Sequence, residues 1–182
     1  MKYFELNDDI SFPNRWYLGD VSKVDNWELA TSIPEDTVSL KIEVVRDGEE
    51  MDFTLTEAYG VPIVSLKVKD ALDGMLGITF IPVQVQGKQC STEYFVLVTS
   101  EIVECVDEAN SKFQMFEEND PVRPDKAGEY RAFMKLRLDV RKIIGIDIFR
   151  LMKFEVAIVI SERVKERLES VGTTGVDLTA VV

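Results

Sequence analysis

Two segments of the chain share one pattern: a short apolar strand, a serine, a short amphipathic helix, and a glycine that leads into another strand. The first covers residues 63–80 and the second covers residues 159–178. Ser65 and Ser161 can cap these helices, because a serine hydroxyl accepts a hydrogen bond from a free N–H group of the first turn. Apolar residues then recur along one helical face, and they are Val68, Leu72 and Met75 in one segment and Val164, Leu168 and Val171 in the other. The pattern predicts helices at about residues 65–75 and 161–172.

The similarity of these two segments has two interpretations. One is an internal repeat of a strand–helix–strand unit, and the other is two independent solutions to the same packing problem. The second segment needs two extra residues before its glycine, Gly175. Because short capped helices resemble one another, the sequence leaves both interpretations open.

The other apolar segments are typical of strands. Residues 38–46 and 51–55 alternate between apolar and polar side chains on either side of Asp47-Gly48, and this arrangement predicts a β-hairpin. Residues 78–85 and 94–98 are apolar on both faces, as in the middle of a covered sheet. Residues 131–141 alternate over what the pattern predicts to be one long strand, and residues 119–128 form a loop with two prolines and a glycine. The expected fold is therefore α+β, a single domain over residues 1–182 with a mixed, mostly antiparallel sheet.

Composition excludes several kinds of active site. The chain has no histidine, so it cannot form a Ser-His-Asp triad, a Cys-His dyad or a histidine-ligated zinc site. Its net charge of −12 argues against general binding to nucleic acid or to an anionic membrane. The two cysteines, Cys90 and Cys105, lack metal-site spacing and are expected to be free and buried. The first ten residues lack an apolar signal region, so we expect a cytoplasmic protein.

Acidic residues form two concentrations, at residues 35–57 and 101–120. An acidic surface can meet a basic partner by charge complementarity, although it can also serve solubility alone. The candidate partner-binding residues are Glu43, Asp47, Glu49, Glu50, Asp52, Glu104, Asp107, Glu108, Glu117 and Glu118.

Basic residues have one notable arrangement, on the polar face of the predicted strand at residues 131–141. This face would carry Arg131, Lys135, Arg137 and Arg141. Two roles are open for it: it could bind a phosphate or an acidic partner, or its cations could pair with acids of the same chain.

Catalytic motifs are missing from the sequence. The ten glycines form neither of the common phosphate-binding loops, and no GxSxG nucleophile motif occurs. Adjacent carboxylates could serve a hydrolase or hold Mg²⁺, but in so acidic a chain they more often form a solvated edge. We therefore assign no catalytic, cofactor-binding or metal-binding residue and expect no cofactor.

The order and spacing of several motifs resemble the immunity protein eleven family of bacterial polymorphic toxin systems. The resemblance is best over residues 61–182 and looser over residues 1–60, which the hairpin would dominate. The motifs are Arg15 to Gly19, Pro62 to Ser65 with Val68 and Leu72, Phe80 to Val83, Tyr94 to Val98, Val103 to Asp107 with Ser111, Ile148 to Leu151, Ile158 to Val164, and Gly175-Val176.

This resemblance implies a cytosolic protein that binds and neutralises a toxin encoded beside it. The shared residues are of the kinds that build cores, caps and turns, so the resemblance transfers no catalytic residue. A basic, nuclease-like toxin would suit the acidic surface, because enzymes that cut nucleic acid need basic clefts. The alternative function is a small-molecule-binding or enzymatic domain that uses carboxylates. A deep cleft with converging acids would favour that alternative, and an exposed apolar patch would favour a protein partner.

Overall fold

A computed structural model describes residues 1–34 and 40–181. Within them the chain forms three α-helices, namely α1 Asn26–Leu29, α2 Leu66–Ala71 and α3 Glu162–Ser170. The strands are β1 Tyr3–Asp8, β2 Tyr17–Ser22, β3 Leu40–Arg46, β4 Phe53–Leu55, β5 Pro62–Ser65, β6 Ile78–Gln86, β7 Tyr94–Thr99, β8 Ile102–Val103, β9 Lys112–Met115, β10 Tyr130–Lys135, β11 Ile148–Leu151, β12 Phe154–Ser161 and β13 Val176–Ala180.

Two larger sheets and one ribbon contain these strands. The six-stranded sheet has the order β2-β3-β6-β7-β5-β4, the five-stranded sheet has the order β13-β1-β12-β11-β8, and β9 pairs with β10 alone. The pairs β3–β6 and β8–β11 are parallel, and the other pairs are antiparallel. The predicted α+β class and the mostly antiparallel, mixed pairing agree with this architecture, but the strands form two large sheets and a ribbon where the sequence predicted one sheet.

Three apolar clusters form the core. One combines residues of both large sheets with α2 and α3, and it includes Phe53, Val64, Phe95, Ile148 and Ile160. A second surrounds the fully buried Trp16 on the other side of the six-stranded sheet, and a third surrounds Phe149 in the five-stranded sheet. The shared cluster explains why both predicted helices need an apolar face: each packs that face into the layer between the sheets.

The two matching segments occupy equivalent places in the two large sheets. The strands β4-β5-β7-β6 have the same order and relative directions as β11-β12-β1-β13. In one unit the third strand in this order, β7, comes directly after its sheet neighbour β6 in the sequence. In the other unit the equivalent strand is β1, which comes from the opposite end of the sequence. The predicted strand–helix–strand similarity therefore extends to four strands and a helix in each unit.

The same side-chain anchor holds each helix start. Ser65 donates its N–H to the carbonyl oxygen of Asp52 (2.9 Å) and its hydroxyl to the Asp52 carboxylate (2.8 Å). Ser161 makes the same two bonds to Asp147, at 2.8 and 2.6 Å. Each serine oxygen then accepts a bond from the backbone N–H three residues later, so both predicted caps are confirmed.

The predicted hairpin at Asp47-Gly48 is wrong. β3 pairs with β2 and β6, whereas β4 pairs with β5, so the two alternating segments are not neighbours. Gly48 instead permits a close backbone approach, because a Cβ there would lie 2.3 Å from the carbonyl oxygen of Asn14. Residues 1–60 are therefore not a hairpin region, and Val38 of the predicted strand lies outside the described residues.

The predicted long strand at residues 131–141 is also wrong. β10 ends at Lys135, and Asp139 caps a 3₁₀ turn at Val140–Lys142. The four cations therefore do not share one strand face. Arg131 pairs with Asp120 (3.2 Å) and Arg141 pairs with Asp139 (2.8 Å), which favours pairing within the chain for these two residues.

Smaller expectations have mixed outcomes. β7 is buried along its whole length as predicted, but β6 alternates between buried and exposed residues and is not covered on both faces. Both cysteines are free, with Cys105 buried and Cys90 half-buried. The sequence patterns did not predict α1.

Candidate binding surface

The first group of candidate acids lies largely in contacts within the chain. Asp47 accepts a bond from Lys88 Nζ (2.6 Å), and Glu50 accepts bonds from the N–H and hydroxyl of Ser91. Asp52 belongs to the helix anchor and pairs with Lys67 (2.6 Å). Glu43 and Glu49 are exposed.

Burial and hydrogen bonds act in opposite directions on Asp52. Burial raises the pKa of its carboxyl group, but bonds from Lys67, Thr174 and Ser65 favour the charged form and leave the pKa below its ordinary value. Asp52 is therefore a charged residue with a structural role, which is to hold Ser65, Lys67 and Thr174.

The second group of acids is partly drawn together around Tyr130. The hydroxyl of Tyr130 donates to Glu108 (2.5 Å), and burial together with this carboxylate raises the pKa of Tyr130. Glu104 and Glu108 line a cavity of about 410 Å³ with Lys142 and Lys153. The lining of this cavity therefore mixes two carboxylates with two lysines.

The acids of the second group lie at a turn or on the exposed surface. Asp107 accepts a bond from the side-chain amide of Asn110 (2.7 Å) and closes a turn. Glu104, Glu108, Glu117 and Glu118 are exposed. In residues 1–34 and 40–181, no group of three or more Asp, Glu, Cys or His side chains is placed to hold a metal ion.

A different surface stands out in the structure, and we call it the aromatic groove. Its cavity measures about 250 Å³. Its apolar side chains are Trp27, Tyr59, Phe116, Tyr130, Phe154 and Val156, and its charged side chains are Arg123, Lys126, Glu129, Arg131, Lys153 and Glu155. The groove thus combines residues from four separate parts of the chain.

Local structure places Trp27 and Tyr59 at the mouth of the groove. Asp25 caps α1 by accepting a bond from the N–H of Trp27 (2.8 Å), and α1 buries Leu29 while Trp27 remains 38% exposed. Tyr59 lies in the turn between β4 and β5, where the N–H of Ala58 donates to Asp20 (3.0 Å). The two rings meet edge to face at 5.7 Å.

Cations lie over the rings of the groove. Lys126 Nζ is 4.4 Å from the centre of the Trp27 ring, and the guanidinium of Arg131 is 5.5 Å from that of Phe116. Such cation–π contacts contribute about 0.5–1 kcal/mol at exposed sites. They hold the cations at the groove while part of Trp27 remains exposed, and the neighbouring Tyr59 is 48% exposed.

An aromatic stack supports the groove from below. Phe133 lies 5.1 Å from Phe154 and 4.8 Å from Tyr130, measured between ring centres. The contact with Phe154 docks the β9–β10 ribbon onto the start of β12. The ring contacts also explain why Phe133 interrupts a row of polar residues in the sequence.

One buried cation lies behind the groove wall. Arg150 is completely buried, and its Nη1 donates to the carbonyl oxygen of Glu155 at 2.5 Å. Its Nε and Nη2 have no hydrogen-bond partner among the described residues. Burial lowers the pKa of Arg150 to about 10, so the group remains charged at neutral pH.

Sequence reasoning did not find the groove. Its residues are far apart in the chain, and each is unremarkable alone. The available signal was Trp27 and Tyr59, two large aromatic residues in polar, turn-rich sequence. The acidic residues gave a stronger pattern, but the structure uses several of them internally.

The chain belongs to the Immunity protein family (Imm11), which matches residues 2–182. The resemblance stated from the sequence motifs is thereby confirmed over essentially the whole chain. No curated protein matches it. Among the helices of the described residues, none has both the length and the apolar character needed to cross a membrane.

Proposed function

We propose that this protein is an immunity protein that binds a cognate toxin and neutralises it without catalysis. The family match over residues 2–182 carries this proposal. It also supports a protein partner. The proposed place of action is the cytoplasm, where the toxin would otherwise harm the cell that makes it.

The placement of the carboxylates supports binding over catalysis. Asp47, Glu50 and Asp52 are held by Lys88, Ser91 and Lys67. Glu104 and Glu108 share a cavity with two lysines, and among the described residues no group of three or more Asp, Glu, Cys or His side chains is placed to hold a metal ion. The alternative of a carboxylate-based enzyme therefore has no specific observation in its favour. An exposed aromatic surface, in contrast, is typical of protein–protein interfaces.

The exposed acids give the surface a negative electrostatic potential that acts over a long range. Glu43, Glu49, Glu104, Glu117 and Glu118 are all exposed on a chain of net charge −12. Such a surface raises the rate of association with a basic toxin more than it raises affinity. We propose these residues as the steering part of the interface.

Co-expression tests the immunity function directly. The toxin encoded beside this chain should arrest growth when expressed alone, and this chain should restore growth, whereas an unrelated toxin should remain harmful in its presence. In a purified assay, non-catalytic inhibition should titrate toxin activity linearly to a fixed molar ratio. Absence of protection would overturn the immunity function, and complete inhibition by a small molar fraction of this chain would overturn the non-catalytic mechanism.

Salt dependence tests the steering role. We expect the association rate to fall steeply as ionic strength rises, because salt screens exposed charges over a Debye length of about 10 Å at 0.1 M. Glu117→Gln with Glu118→Gln should lower the rate at low salt and leave the dissociation rate nearly unchanged. A rate that does not depend on salt would refute steering without touching the immunity function.

A further inference from the structure

We propose that the aromatic groove is the anchor site for the toxin, and that it receives an apolar side chain with a carboxylate beside it on the same toxin segment. This inference rests on the proposed function. It adds the location of the anchor and the chemistry of the segment that binds there. Four features of the groove lead to it.

The size of the groove fits a side chain of a partner protein. Its volume is about 250 Å³. Pockets for drug-sized ligands measure roughly 300–1,000 Å³. Exposed, rigid aromatic side chains such as Trp27 and Tyr59 are the residues that most often carry binding energy at protein interfaces.

The lining of the groove carries more cations than carboxylates, whereas acids outnumber bases in the chain as a whole. Four cations and two carboxylates line the groove, while the whole chain carries −12. Arg123, Lys126 and Arg131 each have an acidic partner, at 2.8, 3.0 and 3.2 Å. No ion pair of Lys153 occurs within residues 1–34 and 40–181. Lys153 is therefore the groove cation most available to a carboxylate of the partner.

Arg150 strengthens this preference from behind the wall. Its guanidinium is fully buried and only partly hydrogen-bonded among the described residues. A charge in a low-dielectric interior acts on its neighbours more strongly than one in water. Arg150 binds the carbonyl oxygen of Glu155, and its charge favours anions at that wall of the groove, where the Glu155 carboxylate is already one.

Backbone strain is concentrated at the groove. Four non-glycine residues in the described parts of the chain have positive φ, and they are Asn14, Lys23, Tyr59 and Lys153. Two of these, Tyr59 (φ 61°) and Lys153 (φ 66°), line the groove. Positive φ is unfavourable for both residue types, and such strain tends to collect where a binding site requires it.

The strain permits an experiment that separates binding from folding. The probe is the purified toxin domain encoded beside this chain, carrying an inactivating substitution, and calorimetry gives its Kd for each variant. Tyr59→Gly removes the ring and relieves the positive φ, because glycine adopts that conformation freely. We expect its Kd to rise by at least roughly tenfold while its melting temperature stays level or rises.

A charge reversal and a matched control complete the test. Lys153→Glu should raise the Kd more than Lys153→Gln does, because only the former repels the partner's carboxylate. Asn14→Gly changes a residue of positive φ that does not line the groove, and its Kd should stay within about twofold of wild type.

The possible outcomes are distinct. If the unaltered chain binds the toxin and both Tyr59→Gly and Lys153→Glu bind equally well, the groove is not the anchor site and the immunity function stands. If Lys153→Glu tightens binding, the partner segment is basic and the proposed chemistry is wrong. If the unaltered chain neither binds nor inhibits the toxin, the proposed function fails, and the anchor site fails with it.

Discussion

The two helix anchors share one geometry and differ in what they join. In both, an aspartate directly before a strand accepts a hydroxyl bond from the capping serine and pairs with a cation two residues after that serine. Among residues 1–34 and 40–181, the Asp147 carboxylate accepts side-chain bonds from Ser161 and Arg163, both of its own unit. Asp52 additionally accepts bonds from the N–H and hydroxyl of Thr174 (both 3.0 Å), which belongs to the other unit.

This difference shows where the two units are joined. Lys67 at the start of α2 also donates to the carbonyl oxygen of Gly172, just after α3 (3.2 Å). Arg167 of α3 donates in return to the carbonyl oxygens of Ala71 and Asp73 (3.2 and 3.1 Å). One anchor therefore stabilises a helix, and the other stabilises a helix and the contact between units.

Replacing the two aspartates should have the largest effects on stability, and the two losses should differ in size. We expect Asp52→Ala to lower the free energy of unfolding by about 3–4 kcal/mol and Asp147→Ala by about 2 kcal/mol, because Asp52 loses more hydrogen bonds to a charged acceptor. Urea unfolding measures both values. Asp70→Ala is the control, since its exposed carboxylate pairs, within the described residues, with Lys69 alone. Equal losses for Asp52 and Asp147 would remove the distinction between the anchors.

The two serines should behave alike, because each makes the same cap and the same bond to its aspartate. Ser65→Ala and Ser161→Ala should each cost about 1–2 kcal/mol, the sum of a lost cap and an aspartate left with one fewer donor. Thermal unfolding of the two variants checks this. A much larger loss for one serine would show that the equivalence of the two units is limited to geometry.

The pH dependence of the free energy of unfolding should show a smaller effect of Asp52 at acid pH. Its pKa is lower in the folded than in the unfolded state, so the unfolded chain binds more protons as the carboxyl titrates. Its stabilisation is complete above the unfolded pKa and is lost as the pH falls through the lowered, folded pKa. Asp52→Asn should therefore be less stable at neutral pH and should lose less stability than wild type below pH of about 4. If the free energy of unfolding of both proteins fell equally with pH, the lowered pKa of Asp52 in the folded state would be contradicted.

Local signals in the sequence predicted local structure well. The serine caps and the apolar faces of α2 and α3 follow from rules that span only a few residues, and so the helices were located within a turn. The family followed from the order of such motifs. The same local rules described neither which strands pair nor which acids remain exposed.

The errors arise where distant segments meet. Gly48 fits a turn by sequence, but the backbone at Asn14 requires a residue without a side chain there. Asp52 counts as surface acid by sequence, but Thr174, more than a hundred residues later, holds it. Tyr59 lies between two strands of the six-stranded sheet and Lys153 between two strands of the five-stranded sheet, so their proximity depends on how the two sheets pack. Long-range packing, which periodicity does not encode, decides all of these positions.

The position of β1 has a consequence for the order in which the fold can be completed. β1 precedes every other strand in the chain, yet its two neighbours are β12 and β13. During synthesis the strands β3 to β7 can pair as soon as they emerge, whereas β1 must wait for β12, and its second partner, β13, ends only at Ala180. An apolar segment that waits unpaired is exposed to aggregation and to wrong partners. The first strand of the fold is therefore among the last to be secured in it.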